Sequence, residues 1–545
     1  MRITTKQLKI CFAAFLFPLL FQHMALAGPP ALIISVNGGF ESGLAAWTTS
    51  GDVALETGHP LEGKRSVRIG PGAGSISQYI QVGSNNHLNL SALLHSEPAS
   101  AGELTIRLLD KNGRELMHVD SNTDMKRGKN PDEIRDYLKP HPLTARVQIV
   151  ISKDSTPGYV YADGISLGAY EENDPSLKSK ENLTEAMRPI WEGNKVTDEA
   201  VLMVSHDGKP ATGTLMFHPS RILSVTDYGS TNQYVENADF SVVGRTMICA
   251  PGSRMTQLNQ EDFLKGDLKW NVVGGKQILV TYEHSDVWTG PVQAYVGNEL
   301  PNTIWKLSAH EPLKIVAFGD SITFGIGSSR ILKIPPFQPP WIELFSEELG
   351  KTWNDQAITL YNSSQSGADS EWAKSMAQRM VASLDPDLVV IAFGQNDFWR
   401  IQADAFASNI SAVIETVRSV NPQAEFLLVS TMQFDPDYSR KVDYWDLVSQ
   451  YESKLKALTG PGVQSVDFTT ISGAVFAAKA PKDCLNDPLH PDDYLSRWYA
   501  QSLVAALVPA RKQAPALAFA NFQFGILQNY SGRLSYSFQD RWDGF

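Results

Sequence analysis

Two short stretches of this 545-residue chain hold the side chains best suited to covalent chemistry: Gly319-Asp320-Ser321, and Asn486-Asp487-Pro488-Leu489-His490-Pro491 near the far end. The apolar run 315–318 reads as a buried parallel strand, and Gly-Asp-Ser as the sharp turn where such a strand hands over to a helix. Ligands sit at that strand end. A serine there can present its hydroxyl to a cleft, but it is inert at neutral pH until a base removes its proton. Asp487 and His490 lie three apart and can meet across one turn. Ser321, His490 and Asp487 thus offer a nucleophile, a base and an orienter. Asp487, His490, Asp492 and Asp493 are the alternative, a metal cluster, but no second histidine or cysteine stands at ligand spacing, so neither metal nor cofactor is expected.

The elements that must position these residues follow from periodicity. From residue 313 apolar strand runs (315–318, 358–361, 388–393, 426–430 and a weaker 463–466) alternate with stretches of helical spacing at 341–349, 371–384, 405–420, 442–458 and 494–507. That pattern predicts a doubly wound parallel sheet with helices on both faces. Ser321, Gly367 and Asn396 each follow a separate strand, so all three project from one edge of the sheet.

Four separated blocks, Gly319-Asp320-Ser321-Ile322-Thr323, Gly367 in Ser-Gly-Ala-Asp, Gly394-Gln395-Asn396-Asp397 and Asp487-Pro-Leu-His490, stand in the order of one known family. In these blocks the chain resembles the SGNH hydrolases, the GDSL-type esterases, over roughly residues 311–510. The resemblance implies a flavodoxin-like α/β/α domain and an oxyanion hole built from the backbone N–H of Ser321, the backbone N–H of Gly367 and the side-chain amide of Asn396. Asp397 reads as structural, whereas Trp399 fits either an acyl pocket or the core. A Gly-x-Ser-x-Gly elbow is absent because Thr323 stands where its second glycine would be. Leu495 stands where the family often has a glycine.

The chain opens as a secretory signal peptide, residues 1–27: Arg2, Lys6 and Lys9 precede an apolar run of 12 residues from Ile10, and Ala25-Leu26-Ala27 fits a cleavage site. That run is short for a membrane span, and no later segment is uninterruptedly apolar for the ~18 residues a span needs. A secreted or periplasmic protein without stable membrane insertion is expected. Removing the leader takes the net charge from −12 to −15, which argues against nucleic acid as a partner. Cys249 and Cys484 would remain, free to pair after export or to stand as separate buried thiols.

Upstream of the hydrolase-like region the signal is β. Short alternating runs between Gly, Pro, Asn and Asp turns across residues 28–170 predict a sandwich, and 37–47 with 161–167 resemble the first and last strands of jelly-roll carbohydrate-binding modules. Residues 171–190 read as a polar linker with room for one short helix. A second β-sandwich is expected over 191–308, with His284 and Trp288 near enough in sequence to reach the cleft, though an ordinary strand end serves as well. Residues 511–545 are an aromatic-rich tail. The organisation expected is therefore multidomain: two N-terminal β-sandwich domains followed by the doubly wound α/β/α domain at 311–510. Export, acidity and a sugar-binding-like module favour a serine esterase that removes small acyl groups, acetyl above all, from a polysaccharide. A lipid or aryl esterase and a non-catalytic glycan-binding protein are the alternatives. The loop 331–340, rich in proline and apolar residues, fits an acyl groove or the wall of a small acetyl pocket.

Overall fold

The computed structural model describes residues 32–509 other than 84–85, 98–101, 122–131, 139, 172–178, 180–181, 262–272, 355–356, 436–443 and 488. The leader 1–27, the tail 511–545 and part of the 171–190 linker lie outside the described residues.

Five parallel strands set the frame of the C-terminal region: β1 Leu313–Gly319, β2 Ile358–Asn362, β3 Leu388–Ala392, β4 Glu425–Val429 and β5 Val463–Val466. They lie side by side in the order 2-1-3-4-5, the doubly wound arrangement whose ligand crevice opens where the strand order reverses, beside β1 and β3. A sheet covered on both faces needs apolar residues at every position, and β4 is buried throughout while β1 is buried everywhere except Lys314. Alternation along β1 sends Ile315 and Ala317 to one face and Val316 and Phe318 to the other.

The covering helices are α1 Ser321–Phe324, α2 Trp341–Trp353, α3 Ser370–Met380, α4 Ala403–Val420, α5 Tyr444–Ala457, α6 Phe468–Ala478 and α7 Asp493–Leu507. Asp369, Asp467 and Asp492 cap α3, α6 and α7, each accepting a backbone N–H of the first turn. Helix α6 escapes a periodicity reading because Phe468, Ile471 and Val475 on its buried side alternate with further small or apolar residues, leaving no clean stripe.

The described residues between 32 and 171 form one nine-stranded antiparallel sheet. Its long strand Ser66–Gln81 pairs with Val160–Glu171 over residues 67–69 and with Arg146–Lys153 over residues 74–81, so a single strand carries the chain from one ladder to another. The stretch 37–47 is a loop rather than the expected first strand. Asn37 Nδ2 closes it onto the carbonyls of Gly43 and Ala45, both at 2.9 Å. The Ile165 N–H donates to the Gly38 carbonyl at 3.1 Å, which brings the two ends of the region together.

Between residues 195 and 284 stand a three-stranded sheet (Lys195–Leu202, Gln277–His284, Pro219–Asp227) and a mixed five-stranded one. The second β-sandwich is expected to run to residue 308, but a helix occupies Pro301–Ala309, with proline in its first turn where a missing N–H costs nothing. The two sheets share one apolar core with the α2–α7 face of the parallel sheet: Val201, Leu202 and Tyr282 belong to the same buried cluster as Leu313, Trp341 and Trp498.

Candidate active site

Ser321 follows β1 directly and opens α1. The backbone of Asp320 is extended and its Oδ1 accepts the Ile322 N–H at 2.9 Å, so the aspartate caps the turn that presents the serine. One helical turn suffices: the Gly325 and Ile326 N–H groups both donate to the Ser321 carbonyl, at 3.1 and 2.9 Å. Neighbouring elements fix the turn from outside. Trp341 Nε1 of α2 donates to the Ile322 carbonyl and Asn362 Nδ2 at the end of β2 to the Thr323 carbonyl, each at 2.9 Å.

Asp487 and His490 face each other across a tight turn in which Leu485–Asp487 pairs with His490–Pro491. Asp487 Oδ1 accepts the N–H groups of Leu489 and His490 at 2.7 and 2.8 Å, leaving Oδ2 to take the His490 Nδ1–H at 2.8 Å. With Nδ1 protonated, Nε2 is the acceptor, and it lies 2.9 Å from Ser321 Oγ. All three side chains are buried. Burial opposes the imidazolium, but the adjacent Asp487 carboxylate outweighs it and holds His490 above its ordinary 6.5. Burial likewise opposes the Asp487 anion, yet His490 and the two N–H bonds keep it below the usual carboxylate value.

Gly367 and Asn396 stand just past β2 and β3, the strands on either side of β1. Gly367 has φ +76° and open space where a side chain would be, so conformation rather than crowding calls for glycine. Asn396 Nδ2 spends one hydrogen on the Ala368 carbonyl at 2.9 Å, which ties its amide to the Gly367 loop, and the amide carries a second hydrogen. Ser321, Gly367 and Asn396 therefore share one sheet edge. The arrangement puts a hydroxyl in contact with an oriented imidazole, with Gly367 and Asn396 just past the two strands that flank it.

Residues 317–497 match the GDSL-like lipase/acylhydrolase family. The chain carries a GDSL-like acylhydrolase domain. Among curated proteins no relative matches the chain. Solved structures similar to it include a two-domain esterase active on acetylated mannans (21% identity over 40% of this chain and 57% of that one, TM-score 0.33). Others are the lipase/acylhydrolase from Enterococcus faecalis (21%, 35% and 93%, TM-score 0.28) and TmCBM61 in complex with beta-1,4-galactotriose (19%, 26% and 100%, TM-score 0.21). The chain spans little more than half of the mannan esterase.

Within the GDSL-like domain two further residues of the third block support the site. Gln395 Nε2 donates to the Leu489 carbonyl at 3.2 Å and its Oε1 accepts the Thr431 hydroxyl at 2.6 Å, bracing the histidine turn from the end of β3. Asp397 is buried, pushed up to about 6 by that burial, and accepts the Ser370 N–H at 3.0 Å at the start of α3. Burial also pushes Asp320 up to about 7, against the pull of the Ile322 N–H and of His490. Gln395 was open to a reading of its block, since the amide stands beside Asn396; its partner lies 94 residues on.

Other candidates are employed elsewhere. His284 stacks on Phe217 with centroids 4.1 Å apart, and Trp288 packs on Trp498 at 5.2 Å, so both serve the core around α7. The Trp399 side chain lies outside the described residues. Loop 331–340 turns its apolar side chains inward: Ile331, Leu332, Ile334 and Phe337 are buried, and Ile334 abuts Gly274 of the 195–284 region. Cys249 and Cys484 are separate buried thiols. Asp492 caps α7, Asp493 accepts the Ser329 N–H at 2.9 Å, and no metal-holding group of three or more His, Cys, Asp or Glu occurs among the described residues.

Proposed function

We propose that this chain is an exported serine esterase that removes small acyl groups, acetyl above all, from a polysaccharide. The observation that carries the esterase reading is the unbroken chain from Ser321 Oγ through the His490 imidazole to Asp487, at 2.9 and 2.8 Å. Ser321 Oγ attacks the ester carbonyl carbon as its proton passes to His490 Nε2. The carbonyl oxygen becomes an oxyanion and is met by the N–H groups of Ser321 and Gly367 and the Asn396 amide. The intermediate collapses as its bond to the sugar oxygen breaks and the imidazolium gives that oxygen the proton, releasing the sugar hydroxyl and leaving an acyl-enzyme on Ser321. Water, activated by the same imidazole, releases the acid and restores the serine.

Two features support a small acyl group on a carbohydrate. The apolar side chains of loop 331–340 are spent in packing, and a long acyl chain would need an extended apolar groove. Residues 28–170, which carry the sequence resemblance to carbohydrate-binding modules, serve in this reading to hold the polymer, and the leader 1–27 directs export. A panel of 4-nitrophenyl esters from acetate to palmitate, run beside acetylated xylan, mannan and pectin, tests it. Turnover falling as the acyl chain lengthens, with acetate released from one of the polymers, is expected. Rates that climb with chain length and no acetate from any polymer would favour a lipid esterase.

A further inference from the structure

The turn bearing Asp487 and His490 has little secondary structure of its own, yet the histidine must meet the serine to within a fraction of an ångström. Besides the Gln395 brace from within the GDSL-like domain, its approach is held from outside that domain. Lys479 Nζ donates to Glu199 Oε1 at 2.6 Å and to the carbonyls of Ala200 and Thr214 at 2.8 and 3.0 Å. Asp483 accepts the N–H groups of Leu202 and Thr214 at 3.1 and 2.8 Å. Lys482 Nζ donates to the carbonyls of Leu202 and Thr212 at 3.1 and 2.9 Å. The segment entering the turn is thus bound to the sheets between residues 195 and 284.

Nearest the chemistry is Asn486, the residue before Asp487. Its Nδ2 donates to the Gly327 carbonyl, and its Oδ1 accepts from Gln277 Nε2 at 2.6 Å. A carbonyl can only accept, so Gly327 dictates which way the Asn486 amide faces, and Gln277 completes that orientation from the other side. Gly327 lies in the loop leaving α1, so close to the histidine turn that a Cβ on it would sit 2.2 Å from the Pro491 carbonyl oxygen. The Asn486 amide therefore joins the His490 turn to the loop that leaves the Ser321 helix. Gln277 and Asn486 are both buried, and Gln277 Oε1 finds no partner among the described residues. A buried amide half satisfied is a poor device for stability alone.

We infer that Asn486 and Gln277 are positioning residues of the esterase: Gln277 locks the Asn486 amide, and Asn486 holds the His490 turn in register with the Ser321 loop. The inference rests on the esterase reading above, and it makes the 195–284 region a working part of the hydrolase. The test uses the full chain with 4-nitrophenyl acetate. Gln277→Met keeps the side-chain volume and removes the donor; it should lower kcat roughly 10- to 100-fold with KM little changed. It should also move the pH at which activity is half-maximal, because the His490 contacts loosen. Asn486→Ala should do the same, and the double variant should be no slower than Asn486→Ala alone, since the two act as one unit. Wild-type kcat and pH profile in a folded Gln277→Met, or losses that multiply in the double variant, would overturn the positioning role. Should Gln277→Met not fold, the isosteric Gln277→Glu, which sets an oxygen against Asn486 Oδ1, is expected to lower kcat as its carboxyl ionises, and an unchanged kcat overturns the inference equally. A wild type that neither hydrolyses the ester nor reacts with a fluorophosphonate overturns both readings; an active wild type with an indifferent Gln277→Met overturns only this one.

Discussion

At the scale of single residues the site is a proton path whose direction is set by one tautomer. Asp487 takes the Nδ1–H, so Nε2 is left to receive the Ser321 proton. Ser321→Ala should abolish turnover of 4-nitrophenyl acetate, to below about 1% of wild type, while the melting temperature holds, because nothing remains to carry the acyl group. The same contact predicts the pH dependence. His490 works only as the neutral base, and Asp487 raises its value above 6.5, so kcat/KM should fall as pH drops through a point above 6.5 and level off on the alkaline side. Replacing the anion by an amide, Asp487→Asn, removes what favours the imidazolium; that point should move to lower pH and kcat should drop by roughly 10³–10⁴. A pH profile identical to wild type would show that Asp487 does not govern His490. Asn396→Ala tests the oxyanion site separately. A donor that acts on charge developing in the transition state should cost ~10² in kcat and little in KM, and a change confined to KM would make Asn396 a substrate-binding residue instead.

At the scale of elements, the GDSL-like domain is held to the sheets at 195–284 by fully buried charge. Lys479 and Glu199 have no exposed side-chain area, and Glu199 also accepts from the Tyr282 hydroxyl at 2.7 Å and the Met216 N–H at 2.9 Å. Burial opposes the Lys479 cation, but Glu199 outweighs it and holds the lysine above its ordinary value. Lys479→Met strands the carboxylate and should cost about 3–5 kcal/mol of unfolding free energy in urea titration. Adding Glu199→Gln should recover part of that loss, and a double variant no more stable than Lys479→Met would show that the uncompensated charge is not the cause. None of this was legible in the sequence, for a physical reason. Lys479 and Glu199 are 280 residues apart and nothing local marks them as partners. What was legible lay within a few residues or within one element: Asp487 and His490 share a turn, and β1, β3 and β4 are apolar runs because both of their faces are covered. Helix α6 hides because it is apolar on most sides, and the resemblance puts a strand at 37–47 where the Asn37 amide closes a loop. In loop 331–340 the apolar character was evident, but whether it faced a groove or the core depends on Gly274, 60 residues earlier.

At the scale of the whole molecule, everything placed at the site lies between Gln277 and His490, so the nine-stranded sheet at 32–171 supplies none of its groups. That sheet is nevertheless not detached: its buried residues Leu104, Ile149 and Leu167 belong to the same apolar cluster as Val316, Ala377 and Phe406 of the C-terminal region. His141 is buried close to the Met380 carbonyl at the end of α3, and burial pushes it down to about 4. Two consequences can be separated. If residues 28–170 hold polymer, they raise the local concentration of ester without touching the barrier, so their benefit appears only where one chain carries both the bound sugar and the acyl group. Removing them should lower the melting temperature, because the contact at α3 is lost, yet leave kcat/KM on 4-nitrophenyl acetate within about threefold of wild type and cut release of acetate from an acetylated polysaccharide by roughly tenfold or more at substrate concentrations well below saturation. Free, unacetylated polymer of the same sugar should inhibit the full chain on the polymeric substrate and not on the aryl ester. Parallel losses on both substrates would instead mean that the sheet supports the hydrolase by packing alone, and the polysaccharide assignment would then have to stand on the products of the acetylated panel without it.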